Sequence, residues 1–304
     1  MELTPLRYFV VIAKVGHLTR ASRQLGITQP ALSAMLKKLE AHVGTPLLTR
    51  SGKGVELTEA GRVFLAHAQS AVRAAEQGEV AVRELLGLER GTIRIGGGAT
   101  AVSYLLPPVV SLIRKQHPGL RFFVREAGSN QVAASVISSE LDLGLVTLPI
   151  TLPDADKLIR VPLIEDELRL ILPATSPLRD PQRKRTTFAW RDLEGMAIVG
   201  FEASSAVRDV IDRAAAQGGV TLNYVMEVRS IEGIMQMVKA GIGAGFVSKF
   251  ALATSTEFAA GLSCVDGALK RQLAIVKSRD RPLSVAAQAC EKALVDGAKR
   301  LGKR

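Results

Sequence analysis

Residues 18–37 run LTRASRQLGITQPALSAMLK, and this stretch decides how the chain is read. Ala21 and Leu25 fall on one side of a short helix over 18–25. Gly26 then permits the left-handed backbone of a tight turn. Thr28 suits an N-cap, because its hydroxyl oxygen can accept from an early helical N–H. Pro30 falls in the first turn of the next helix, where a missing N–H costs little. That helix, over 29–43, has Leu32, Met35, Leu36, Leu39 and Val43 on one stripe when projected at about 100° per residue. Pro30, Ser33, Ala34, Lys37 and Ala41 lie opposite, with Gln29 at the edge. A small, polar, basic face of this kind enters a DNA major groove, where bulkier side chains would obstruct approach.

Working outward, Leu6, Phe9, Val10 and Ala13 recur at helical spacing before Gly16, so a further helix precedes the pair. The bland alternative is a three-helix core that happens to expose small residues. The turn, cap and proline together favour a helix-turn-helix over 18–37. In it Gln29 would read an adenine edge, Ser33 a base or phosphate, and Lys37 a phosphate, with Arg20, Thr28, Pro30 and Ala34 in the same contact set. After the third helix, 47–50 and 55–58 read as two strands around Ser51-Gly52-Lys53-Gly54, a wing whose Arg50 and Lys53 would grip phosphates.

From 58 to 88 there is no proline. Phe64, Ala68, Ala71, Ala75, Gly78, Val82 and Leu85 alternate four and three apart, the spacing of a helix-to-helix seam. The same spacing also suits a helix packed on its own chain. Beyond Gly91, strands at 92–96, 120–126 and 141–147 alternate with helices at 102–116 and 131–138. A second such unit has strands at 168–172, 198–201, 222–228 and 245–247, and helices at 204–217 and 231–239. A strand at 273–276 and a helix at 284–303 close the chain. The fold class is therefore multidomain α/β. A winged helix-turn-helix at 1–58 and a linker helix at 59–89 precede a two-lobed α/β domain at 90–304. Lobe I would take 90–161 and 268–304, and lobe II 162–267. Mostly parallel sheets are expected, with a ligand cleft at the carboxyl ends of the strands.

The 304 residues carry a net charge of +11, which favours a polyanionic partner. Residues 1–90 hold 12 basic and 8 acidic residues, so charge alone does not locate the reader. Cys264 and Cys290 form no CxxC pair. No export signal and no membrane-length apolar run is visible, so the expected location is the cytoplasm. No metal site, cofactor site or catalytic constellation is visible. Gly96-Gly97-Gly98 and the glycines at 241, 243 and 245 lack dinucleotide or P-loop spacing, and the four histidines lack ligand spacing. An enzyme is thereby disfavoured. A small-molecule-binding protein without DNA regulation is the alternative that the reader argues against.

The N-terminal sequence resembles the DNA-binding domain of LysR-type transcriptional regulators. The matching points are Leu6, Phe9, Ala21, Thr28-Gln29-Pro30-Ala31-Leu32-Ser33, Leu39-Glu40, Gly44, Pro46-Leu47-Leu48, Arg50 and Leu57-Thr58-Glu59-Ala60-Gly61. The rest resembles the family's effector domain, itself similar to periplasmic binding proteins. Leu105-Leu106-Pro107, His117-Pro118, Leu141-Asp142-Leu143-Gly144, Ser176-Pro177-Leu178 and Val238-Lys239-Ala240-Gly241-Ile242-Gly243 carry that likeness. Ala34 and Ser248 depart from it, where members often have a longer polar residue and a proline. The resemblance implies a cleft lined by Thr100, Ser103, Ser129, Asn130, Thr147, Phe201, Ser204 and Phe246. It also implies a small anionic co-inducer, an organic acid, and a linker that dimerises through Phe64, Ala68, Ala71, Ala75, Val82 and Leu85. The implied assembly is a homotetramer, a dimer of dimers on double-stranded promoter DNA, with RNA polymerase as a further partner.

Overall fold

Three helices open the chain: α1 (Leu3–Val15), α2 (Leu18–Leu25) and α3 (Gln29–Val43). The computed structural model describes residues 2–51, 54–85, 91–179, 185–253, 255, 258 and 261–301. Gly26 ends α2 at φ 67°, and Thr28 Oγ1 accepts from Ala31 N at 3.4 Å to start α3. Leu32 and Leu39 of α3 are buried against α1, joined by Leu6, Phe9 and Ile12. Strands β1 (Leu48–Ser51) and β2 (Gly54–Leu57) form an antiparallel wing. Glu40 fixes its approach, since Oε1 accepts from Leu47 N at 2.8 Å and Leu48 N at 3.1 Å. Helix α4 (Glu59–Leu85) starts at Thr58, whose Oγ1 accepts from Gly61 N at 2.9 Å.

The expected seam on α4 needs a correction. Ala68 is 2% exposed and joins the core of its own chain, and the Phe64 ring lies 5.6 Å from that of Phe9. These two residues face α1, because Leu6 and Phe9 offer apolar surface at the spacing the seam needs. Ala71 and Val82 are exposed and Ala75 is half-buried, while the Leu85 side chain lies outside the described residues.

The chain divides into two compact units at Arg90/Gly91. The second begins with β3 (Thr92–Gly97), then a π turn (Ala101–Leu105) leading into α5 (Leu106–Gln116). There follow β4 (Arg121–Glu126), α6 (Ser129–Ile137), β5 (Leu143–Thr147) and the long β6 (Leu158–Ile171). Next come β7 (Thr187–Phe188), β8 (Ala197–Phe201), α7 (Ala206–Gln217), β9 (Asn223–Val228), α8 (Ile231–Lys239) and β10 (Ala244–Ser248). The last elements are α9 (Lys249–Leu252), β11 (Ser263–Cys264), β12 (Lys270–Ser278) and α10 (Val285–Leu301).

The sheet order is β4-β3-β5-β12-β6-β10-β8-β9. Strands β3, β4 and β5 are parallel, as are β8, β9 and β10. Strands β6 and β12 run antiparallel to their neighbours and pass from one lobe to the other. Only the end of β6 is visible to sequence periodicity, for two reasons. Pro162 interrupts the pattern, and the register shift between Leu273 and Ala274 accommodates it. Glu165-Asp166-Glu167 reads as a solvated run, yet Asp166 is buried. The glycine runs serve packing. A Cβ on Gly144 would meet Val132 and Val276 at 2.6 and 2.7 Å, and one on Gly245 would meet Ile234 at 2.6 Å. Bare backbone lets the helices approach the sheet there.

Candidate DNA interface and effector cleft

On the first unit, Arg20, Thr28, Gln29, Pro30, Ala34 and Lys37 are exposed and Ser33 is half-buried. The face expected to enter the groove is therefore open. The hydroxyl oxygen of Thr28 is committed to its helix cap. Arg23 and Lys38 are exposed on the same two helices and were not among the candidates; Lys38 was passed over because the projection of the third helix favoured the face opposite its apolar stripe. Lys53 and the Arg50 side chain lie outside the described residues.

In the second unit, a cleft of about 780 Å³ opens where the first turns after β3, β4 and β8 converge. Of the expected residues, Thr100, Ser129, Asn130, Thr147, Phe201 and Ser204 line it. Ser103 and Phe246 do not. Ser103 is exposed on the π turn, which carries its side chain off the lining. Phe246 is 2% exposed and sits between Phe188 and Trp190 in the core of lobe II, with ring centroids 5.8 Å from each.

The floor contains a residue that the sequence reading missed. Arg271 of β12 is buried, and its Nε and Nη2 donate to Asp166 Oδ2 at 2.8 and 2.6 Å. Nη2 also donates to Thr100 Oγ1 at 2.6 Å, and Nη1 reaches Thr147 Oγ1 at 3.5 Å. Ser129 Oγ accepts from Thr147 N at 2.9 Å. Asn130 is turned to Thr151, accepting from its N–H at 3.1 Å and donating to its hydroxyl oxygen at 3.0 Å. On the lobe II side, Ser205 caps α7, and Arg229 pairs with Glu202 at 2.6 Å. Asp212 accepts from the Tyr224 hydroxyl at 2.6 Å. Burial, and then the Asp212 carboxylate, push the Tyr224 phenol well above its ordinary value. It stays a neutral donor there.

An open reader helix beside a wing, followed by a two-lobed cleft, defines a ligand-responsive DNA-binding protein. Residues 3–62 match the bacterial regulatory helix-turn-helix protein, lysR family, and residues 86–299 match the LysR substrate binding domain. A probable RuBisCO transcriptional regulator of Cyanophora paradoxa is 31% identical over 292 residues, covering 94% of this chain and 89% of that protein. One from Nostoc is 31% identical over 293 residues, with 94% and 86% covered. Full-length OxyR from Pseudomonas aeruginosa shares the fold, with a TM-score of 0.71, 23% identity, and 98% and 95% of the two chains covered. Full-length CbnR complexed with its target DNA gives 0.69, at 18% identity and 98% and 100% coverage. The chain belongs to the LysR family of DNA-binding transcriptional regulators, which are not enzymes. Among the described residues, no helix is long and apolar enough to cross a membrane.

Proposed function

We propose that the cleft takes a small organic acid through its carboxylate, and that this effector sets how paired readers engage DNA in the cytoplasm. One observation carries the reading. Thr100, Ser129 and Thr147 each use the hydroxyl oxygen to accept a hydrogen bond from within the protein. Each is left with an O–H to donate. A group of donors whose own acceptor oxygens are already engaged favours a ligand rich in lone pairs. The start of α6, which also lines the cleft, adds backbone N–H groups and the positive end of a helix dipole.

The readers act in a homo-oligomer, a dimer of dimers, and the effector must bind one arrangement better than the other. A thermal-shift screen of carboxylic acids beside their amides tests the ligand class. Acids should raise the melting temperature, their amides should not, and Thr100→Val should remove the response. Amides that stabilise as well as acids would overturn the reading.

A further inference from the structure

The cation at the floor of the cleft is already neutralised from behind. Arg271 and Asp166 are register partners on β12 and β6, 5% and 1% exposed. Arg271 lines the cleft, whereas Asp166 does not. The second oxygen of Asp166 accepts from Ser248 Oγ at 2.7 Å. Ser248, itself 1% exposed, also accepts from Phe250 N at 3.2 Å to cap α9. Asp166 is therefore anchored through both oxygens, one to Arg271 on the lobe-crossing β12 and the other to Ser248 at the end of β10.

We propose that Asp166, held by Ser248, determines the charge specificity of the cleft: it cancels the charge of Arg271, so that the floor admits a single carboxylate and discriminates against compact dianions. The inference rests on the anion reading given above. A lone buried guanidinium would attract a dianion more strongly than a monoanion. With a carboxylate bonded to the same guanidinium, a second negative charge on the ligand lies a few ångströms from Asp166 in a poorly screened interior. The donors that remain at the floor are the neutral hydroxyls of Thr100, Ser129 and Thr147, which stabilise one carboxylate without overcompensating it. Ser248 contributes by holding Oδ1, so the Asp166 carboxylate keeps its register against Arg271 instead of turning with the ligand.

The test compares compact acid pairs, propionate with malonate and butyrate with succinate, by calorimetry on the full chain, with thermal shift as a second readout. Wild-type protein should bind the monoacid of each pair more tightly. Asp166→Asn should move the monoacid-to-diacid affinity ratio toward the diacid by about tenfold, the scale of one nearby charge in a partly screened interior. Ser248→Ala changes no charge and should weaken binding while keeping the wild-type order. Tighter malonate than propionate binding by wild-type protein overturns the assignment, whether or not Asp166→Asn folds. So does a folded Asp166→Asn protein with an unchanged ratio. If wild-type protein binds neither monoacids nor diacids, the anion reading of the cleft falls, and this inference falls with it.

Discussion

Gly54, at the start of the second wing strand, lies against the carbonyl of Gly16, the residue that ends the first helix. The neighbouring Val55 N–H donates to that carbonyl at 2.9 Å, and a Cβ on Gly54 would run into its oxygen. Gly54 also has φ 139°, a conformation that L side chains rarely adopt. Backbone contacts thus help dock the wing on the helix corner. Gly54→Ala should cost about 1–3 kcal/mol, the range for such strain, and lower the melting temperature of the reader. Gly78→Ala is the contrast. Its Cβ would meet nothing within 4 Å, on a helix, so it should stabilise by up to about 1 kcal/mol.

Glu40 is a second test of how the wing is held. Replacement by Ala leaves Leu47 N and Leu48 N without their acceptor and should cost about 1–3 kcal/mol in chemical denaturation. Gln retains a carbonyl oxygen and should lose less. Equal losses would mean that the contact is incidental.

On DNA, Lys37→Ala should weaken binding to every sequence and flatten the salt dependence by about one unit of slope. Gln29→Ala should change sequence preference instead. Titration of operator and scrambled duplexes at several salt concentrations separates the two. If both substitutions only unfold the domain, the assignment of the face is wrong.

Within the cleft, Thr100→Val and Ser103→Ala should differ, although both residues were expected in the lining. Thr100 touches Arg271, whereas Ser103 is outside the cleft. The first should lose at least about tenfold in effector affinity, the scale of a buried hydrogen bond to a charged group. The second should match wild-type protein in calorimetry.

The cysteines should be inert while the chain is folded. Burial pushes the Cys290 thiol up to about 12, and burial also raises Cys264. A raised value leaves less thiolate, the reactive form, at neutral or mildly alkaline pH. Iodoacetamide at pH 8 should leave both unmodified by mass spectrometry, and both should react in denaturant. Fast labelling of native protein would contradict the burial of Cys264 on β11 or of Cys290 on α10.

Legibility in the sequence followed the range of the interactions. The helix-turn-helix was readable because Gly26, Thr28 and Pro30 act on their own neighbours. The floor of the cleft was not readable. Arg271 and Asp166 are 105 positions apart, and each alone looks like a solvated charge. Phe64 and Ala68 show the same limit, since one spacing suits either a partner helix or α1 of the same chain. Phe246 ends in a core for a related reason. Its strand was read correctly, but the Phe188–Trp190 pair that encloses it comes from a segment with no periodic signal.

Coupling between the effector cleft and the DNA reader can be measured on operator DNA. Fluorescence anisotropy of operator DNA should be measured on wild-type and Thr100→Val protein, with and without a carboxylic acid that stabilises the wild type. The acid should shift the wild-type affinity or footprint, as coupling between two sites requires, and Thr100→Val protein should lose that shift. An acid that binds the cleft yet leaves operator affinity and footprint unchanged would contradict that coupling.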